Sequence, residues 1–297
     1  MGRQYDTISF LSDLGVVDEH VGVVKAIVRD MAPHVQVVDL THQIAPYDVR
    51  AGSLALARAV TYLPAGVILA VVDVGDRRPI AVEVAGGKGV LLGPDNGLLA
   101  SAVAMVGGAE RAVVLDRDEF HLVSPGGMLA VRDVYAPIAA LLCNGTDLAD
   151  LGRLVDAETI LPGVVPLARD FHGVGSEGRS DAAGVGVHAE VLWIDHNGNC
   201  QLNIGLDDVA PWGVDEGTRL QVTAGEQTRS VLRVGRAGAL GPGAVGLLLD
   251  GSGLLTLVLD RRSAADELSL AAADQVTLQP GNGAGEPAVS VPIELRR

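Results

Sequence analysis

Two periods of hydrophobicity divide this chain. In its first half, apolar runs alternate with helical spacing. TISFLSD is a short strand-like run that ends at a carboxylate. VDEHVGVVKAIVRDMAP then carries Val21, Val24, Ile27, Val28 and Met31 on one helix face and stops at Pro33. VQVVDLTH predicts the next strand, DVRAGSLALARAVTYLP a second helix with a proline stop, and GVILAVVD a third strand. Strands separated by helices of this length imply βαβ units and a mainly parallel sheet. GPDNGLL reads as a tight strand-to-helix turn in which Asp95, Asn96 and Gly97 are turn formers. From Leu161 to Gly186 the chain is rich in Gly, Pro and Ser and has no sustained period, which marks a linker. Short alternating runs follow: VHAEVLWIDH, NCQLNIG, TRLQVTA, TRSVLRVGR, VGLLLDG, LLTLVLD and DQVTLQ. Their close spacing predicts an antiparallel β domain, a small barrel or sandwich. The expected organisation is an α/β domain over residues 1–160, a linker over 161–186 and a smaller all-β domain over 187–297.

Composition narrows the function classes. The 297 residues are 48% apolar, enough to bury a sizeable core. Twenty-two basic residues face 37 acidic ones, a formal charge of −15. That balance argues against a phosphate backbone as partner and suits a cationic small molecule. No charge-free run is longer than Ala59–Val72, which is broken by Pro64 and Gly66 and is too short to span a bilayer. The N-terminal MGRQYDTISF lacks the apolar core of a secretion signal. Cys143 and Cys200 have no metal-like spacing, so they read as reduced thiols of a cytoplasmic protein.

Parallel sheets collect ligands beyond the carboxyl ends of their strands. Asp13, the Asp39–His42 segment and Asp73 all fall at such ends. Asp13, just before Gly15, can accept two hydrogen bonds from a diol. Asp18 either caps the helix after it or faces a ligand. His42 is the usual structural histidine after a strand, and Tyr47 offers either a stacking face or packing. Asp73, Asp76, Arg77 and Arg78 form a knot of charge between two buried strands. WIDHNGNCQLNI places Asp195, His196, Asn197 and Asn199 at a strand-turn-strand corner, as a hairpin turn or as a polar cluster able to read a base edge. The nucleotide-cradling glycine motifs, the G-x-S-x-G elbow and H-E-x-x-H are all missing, so a nucleoside triphosphate and a metal are not expected.

Taken in order, ISFLSDLGVVDEHVGVVKAIV, VVDLTHQIAPYDVRAGSLALARAVTYLPAG, AVVDVGDRRPIAV, GPDNGLL, VRDVYAPIAALL and IDHNGNCQLNI resemble one family, the S-adenosylmethionine hydrolases (hydroxide adenosyltransferases). The fluorinase and chlorinase are its relatives. The resemblance runs from about Ile8 to Ser263. It implies an N-terminal α/β domain, a C-terminal β-barrel, and homotrimers with active sites at subunit interfaces. It also implies attack of water or halide on the ribose 5'-carbon with release of L-methionine, and no cofactor. By resemblance Asp13 holds the ribose diol, Tyr47 stacks on the nucleoside, and Asp18 and Asp195 lie near the methionine amino group. Asn199 reads the adenine edge with backbone near Arg261. Asp73 matches the aspartate of a water-orienting Asp-Arg-His trio, and Arg77 matches its arginine, with Arg78 as the alternative.

Two departures stand out. The family's Thr-Phe-His-Gly-Arg-Asp segment appears here as GGMLAVRD, so Ala130 occupies the histidine position while Arg132 and Asp133 remain. His121 compensates only if its loop folds back. Asn197 replaces the usual Phe of the turn. Val131 stands where the fluorinase has a halide-contacting Ser, which disfavours fluoride. The leading expectation is hydrolysis of S-adenosylmethionine to adenosine and methionine; the alternatives are a chlorinase-like enzyme and an inactive nucleoside-binding protein.

Overall fold

The computed structural model describes residues 5–126, 128–163, 169–172 and 185–281. The chain divides into two compact units, Met1–Val165 and Pro166–Arg297.

The first unit is an α/β domain. Its strands are β1 (Thr7–Ser12), β2 (Gln36–Thr41), β3 (Gly66–Val71), β4 (Pro79–Val84), β5 (Gly89–Pro94), β6 (Ala109–Val114) and β7 (Arg153–Val155). They form one sheet in the order β2-β1-β3-β5-β4-β6-β7. β2, β1, β3 and β5 pair in parallel. β4 inserts antiparallel between β5 and β6, so β6 runs with the first four strands, and only β4 and β7 oppose them. The sheet is therefore mainly parallel. All six residues of β3 are buried, as its unbroken GVILAV run requires of a strand covered on both faces.

The helices follow the pattern of the sequence. α1 (His20–Met31) buries Val21, Val24 and Val28 and ends just before Pro33. α2 (Val49–Val60) starts at Asp48, whose side chain accepts a hydrogen bond from Ala51 N at 2.9 Å. α3 (Ala100–Met105) follows the GPDNGLL turn. α4 (Ala136–Cys143) continues a π-helical turn, Val131–Tyr135, and is buried almost throughout. Asn144 after α4 donates to Met31 O at the end of α1 at 2.9 Å. α1, α4 and the π-helical turn, with β1, β3 and β5, enclose a core that includes Phe10, Leu69, Leu92, Tyr135 and Ile138.

The second unit is a closed barrel. β8 (Arg169–His172), β9 (Val185–Ile194), β10 (Cys200–Leu202), β11 (Arg219–Ala224), β12 (Gln227–Val234), β13 (Val245–Leu249), β14 (Leu255–Val258) and β15 (Gln275–Pro280) run in the order β10-β14-β13-β12-β11-β15-β9-β8. A further β10–β9 pairing closes seven of them on themselves, which removes open edges. All seven alternating runs became barrel strands. One pairing departs from the antiparallel expectation: β12 and β13 are parallel, joined by a crossover through residues 235–244. Most of the expected linker lies outside the described residues. Within it, Arg169–His172 forms β8 and pairs with the outer side of β9, backbone pairing that a Gly- and Pro-rich composition does not reveal.

Candidate active site

The carboxyl ends of β1, β2 and β3 converge on one carboxylate. Asp13, directly after β1, donates its backbone N–H to Val71 O at the end of β3 at 3.2 Å. Its Oδ2 accepts two backbone N–H groups, from Tyr47 and from Asp73, each at 3.1 Å. Tyr47 and Asp73 are thus both hydrogen-bonded to Asp13. The double use of Oδ2 leaves Oδ1 as the oxygen available to a hydroxyl.

Both residues that Asp13 holds are in the left-handed region, Tyr47 at φ 68° and Asp73 at φ 48°. L-residues with a Cβ reach that region only at a cost of roughly 1–2 kcal/mol. The two hydrogen bonds to Asp13 help to meet that cost. Tyr47 is 77% exposed, a bare ring at the sheet edge. Asp73 has a second brace: Asn96 Nδ2 donates to Val72 O at 2.9 Å and to Asp73 O at 3.1 Å, while Asn96 Oδ1 accepts from Leu98 N at 3.1 Å. The GPDNGLL turn is a turn as expected, but it is also the clamp on the Asp73 loop.

The two arginines of that loop separate cleanly. Arg78 Nε donates to Asp95 Oδ2 at 2.5 Å and a terminal nitrogen donates to Thr159 O at 2.7 Å. Asp95 is 4% exposed, and its other oxygen accepts from Leu161 N at 2.8 Å. Arg78 is spent on holding this corner together. Arg77 is exposed, and its guanidinium has no hydrogen-bond partner among the described residues.

Asp18 is exposed on the bend before α1, whose N-cap is Glu19 without a side-chain cap bond, so Asp18 does not cap the helix. Val131 opens the π-helical turn at 2% exposure and belongs to the apolar core. Beside it Arg132 grips Asp133 at 2.6 and 2.9 Å, and Asp133 also accepts from Leu129 N at 2.8 Å. The Arg132 guanidinium holds the Asp133 carboxyl below its ordinary value against the burial that would raise it. Leu122 N donates to Asp133 O at 2.8 Å and Arg132 to Ser124 Oγ at 3.0 Å, so the loop after His121 folds back onto this turn. The His121 side chain is 9% exposed, with Nδ1 3.5 Å from Asp118 Oδ1.

In the barrel unit, Asp195 organises the β9–β10 turn. Its Oδ1 accepts from Asn197 N and Asn199 N at 2.8 and 2.9 Å, and its Oδ2 accepts from Asn199 Nδ2 at 2.8 Å. Gly198, at φ 79°, lies so close to Ser263 that a Cβ there would collide with it, and Gly198 O accepts from Ala265 N at 2.9 Å. The turn is thereby docked on the segment that follows Arg261. Arg261 is exposed and also left-handed, at φ 54°. Asn199 and Asp195 are brought together, but much of their hydrogen-bonding capacity serves the turn itself.

An α/β domain that gathers carboxylates and strained backbone at the carboxyl edge of its sheet, joined to a small closed barrel, defines a two-domain small-molecule enzyme. Residues 8–152 match the SAM hydroxide adenosyltransferase N-terminal domain and residues 189–277 the corresponding C-terminal domain. The chain belongs to the SAM hydroxide adenosyltransferase family. It is 36% identical to the (R)-S-adenosyl-L-methionine hydrolase of Salinispora tropica, over 92% of this chain and 98% of that protein. A fluorinase from Nocardia brasiliensis is more distant, at 28% identity over 73% of this chain and 77% of its own. Among solved structures, an uncharacterized conserved protein from Thermotoga maritima superposes with a TM-score of 0.78 at 26% identity, covering 92% of this chain and 99% of that one.

The sequence marked Asp13, Tyr47 and Asp73 as candidates. It did not mark Asn96 as a clamp, nor Ser12 and His42 as members of the same corner. The S-D dipeptide ending β1 and the T-H dipeptide ending β2 were the available signals.

Proposed function

We infer that this protein hydrolyses S-adenosyl-L-methionine to adenosine and L-methionine. The observation that carries the reading is the hydrogen-bonded Asp13–Tyr47–Asp73 corner at the carboxyl edge, with the Arg77 guanidinium unpartnered among the described residues, in a chain so similar to a named hydrolase.

The chemistry asks little of the protein beyond placement. A sulfonium leaves without a general acid: the C5'–S bond breaks, its electron pair returns to sulfur, and methionine departs as a neutral thioether. Water forms the new C5'–O bond and gives up a proton to solvent, which carries away the positive charge the sulfonium brought. The site must hold the ribose, present water in line with the breaking bond, and stabilise the charge that develops on that water. We assign the ribose hydroxyls to Asp13 Oδ1, the nucleoside face to Tyr47, and the water to Asp73 and Arg77. Arg77 stays protonated and cannot be the base; its role is to favour the developing hydroxide. Asp18 and Asp195 take the ammonium end of methionine, and Asn199 with the backbone near Arg261 takes adenine. The reaction needs neither cofactor nor metal.

We further assign a homotrimer with interfacial sites. Val16, Val17 and Tyr47, all exposed around Asp13 and Asp18, are the apolar surface such a contact would cover. The two unpaired, buried cysteines fit a cytoplasmic setting. Among the described residues no helix is long and apolar enough to cross a membrane.

The test is product identification by chromatography with each sulfonium epimer supplied separately, with and without chloride. Adenosine and methionine in equal amounts are the expected products. A 5'-chloro nucleoside formed in chloride would replace hydrolysis by halogenation. Binding without methionine release would leave only a nucleoside-binding protein.

A further inference from the structure

Behind the Asp13 corner lies a polar chain that the proposed reaction does not use. Ser12 Oγ and His42 Nδ1 are 2.8 Å apart, and His42 Nε2 is 3.1 Å from Asp39 Oδ1. Asp39 Oδ2 in turn accepts from Lys25 Nζ at 2.6 Å. Hydrogen bonds from Lys25 and His42 hold the Asp39 carboxyl below its ordinary value despite the burial that raises it. An ionised Asp39 accepts a hydrogen bond from His42 Nε2–H, and in that tautomer Nδ1 is an acceptor and Ser12 the donor to it. Ser12 Oγ then has a lone pair for Leu14 N, at 3.4 Å. Every group in the chain is satisfied in one direction.

The order carboxylate, imidazole, hydroxyl is that of a nucleophilic triad. Ser12 is 0% exposed, however, and no substrate carbon can reach it. The chain must act mechanically. His42 is 6% exposed, with its ring edge-on to Phe10 at 4.6 Å between centroids. It holds the Ser12–Gly15 turn twice: its ring bonds Ser12, and its carbonyl accepts from Gly15 N at 2.7 Å. Gly15 allows this because it adopts φ 73°. A register irregularity in the β1–β2 pairing leaves Leu40 as an extra residue just before Thr41 and His42, where β2 turns toward Ser12.

We propose that His42 is a positioning residue: it fixes the turn that carries Asp13, and through Asp13 it fixes the left-handed backbones of Tyr47 and Asp73. This rests on the reading of Asp13 as the ribose holder. It adds that the geometry of that contact is set from beneath by a buried imidazole.

A double-mutant cycle read by adenosine affinity, measured calorimetrically, tests the proposal. His42→Phe keeps a flat ring against Phe10 and removes both side-chain hydrogen bonds. It should weaken adenosine about tenfold, the scale of one or two buried hydrogen bonds. Ser12→Ala, a smaller change made in case His42→Phe does not fold, should do the same. Asp13→Ala should weaken binding more. Adding either change to Asp13→Ala should cost no more than about a further twofold, because the contact they align is already gone. Losses that multiply in the double variants would overturn the positioning role while leaving the ribose assignment intact. Wild-type protein that binds no adenosine would remove the ribose assignment itself and the proposal with it.

Discussion

Replacing each of the two neighbouring arginines separately is the sharpest available probe of the site. Arg78→Ala removes the Nε bond to Asp95 at 2.5 Å and the bond to Thr159 O at 2.7 Å. The Asp95 side chain is 2% exposed and the Arg78 side chain 38%. Breaking a fully buried pair costs about 3–5 kcal/mol, because the remaining charge stays buried. Water reaches the guanidinium here, and Leu161 N still serves Asp95, so about 2–3 kcal/mol is the better figure. At about 2–4 °C per kcal/mol for a unit of this size, melting should fall by roughly 4–12 °C. Arg77→Ala removes no side-chain hydrogen bond among the described residues, so its effect on stability should stay within about 0.5 kcal/mol. If Arg77 stabilises the nucleophile, however, turnover should drop by about a hundredfold or more, as for loss of a transition-state donor. The assay pairs thermal unfolding with methionine release at saturating S-adenosylmethionine. An Arg77→Ala protein with wild-type turnover refutes the assignment. So does an Arg78→Ala protein with an unchanged melting point and no activity, since Arg78 would then be the working residue.

Three further expectations follow from the same geometry. Asp73→Ala should abolish turnover yet leave adenosine affinity within about tenfold, because it acts on the nucleophile; unchanged turnover removes Asp73 from the mechanism. Asp133, whose carboxyl is held low by Arg132, contributes stability that is complete above the unfolded value of about 4 and is lost as pH falls through the lower folded value. The gap in urea midpoint between wild type and Asp133→Asn should therefore narrow in acid; a gap independent of pH would count against an ionised Asp133. Burial pushes the Cys143 and Cys200 thiols up to about 12 each, with Asp6 adding to the first and Asp195 and Asp266 to the second. A thiol-specific disulfide reagent at pH 8 should thus label neither until denaturant is added, and fast native labelling would mean that one of them is reachable.

Most of the architecture was legible because it depends on short-range pattern. The Val21, Val24 and Val28 spacing and the seven alternating runs each became the element they predict. What stayed hidden depends on partners distant in the chain. Nothing local says that β4 inserts between β5 and β6, or that β12 and β13 pair in parallel. Arg77 and Arg78 are indistinguishable as sequence; only Asp95 and Thr159, 17 and 81 residues from Arg78, tell them apart. Asp13 was picked for its place at a strand end, but its Oδ2 is committed to backbone 34 and 60 residues away. A carboxylate read as a ligand holder is also a structural acceptor.

The distribution of strained backbone joins these observations. Among the described residues, six non-glycine positions have positive φ: Tyr47, Asp73, Ala85, Arg261, Ser269 and Ala273. Ala85 belongs to the turn between β4 and β5, with Gly86 and Gly87, where a reversal of direction explains it. Tyr47 and Arg261 also lie in turns, Tyr47 in the one closed by Asp48 N donating to Ala45 O at 3.0 Å and Arg261 in the one closed by the Leu259–Arg262 bridge, whereas Asp73 lies in none; glycine would serve any of the three at lower cost. Tyr47 and Asp73 were singled out from the sequence for the chemistry of their side chains, and Arg261 only for the backbone near it. A chain that keeps a phenol and a carboxylate where the backbone favours glycine is giving up stability to aim those groups. Asp13 and Asn96 brace both from within the same unit, by hydrogen bonds that any change at Ser12 or His42 must disturb. The strain therefore argues for the site independently of family membership, and it locates the mechanical weakness of the corner in the buried imidazole beneath it rather than in the exposed residues that meet the substrate.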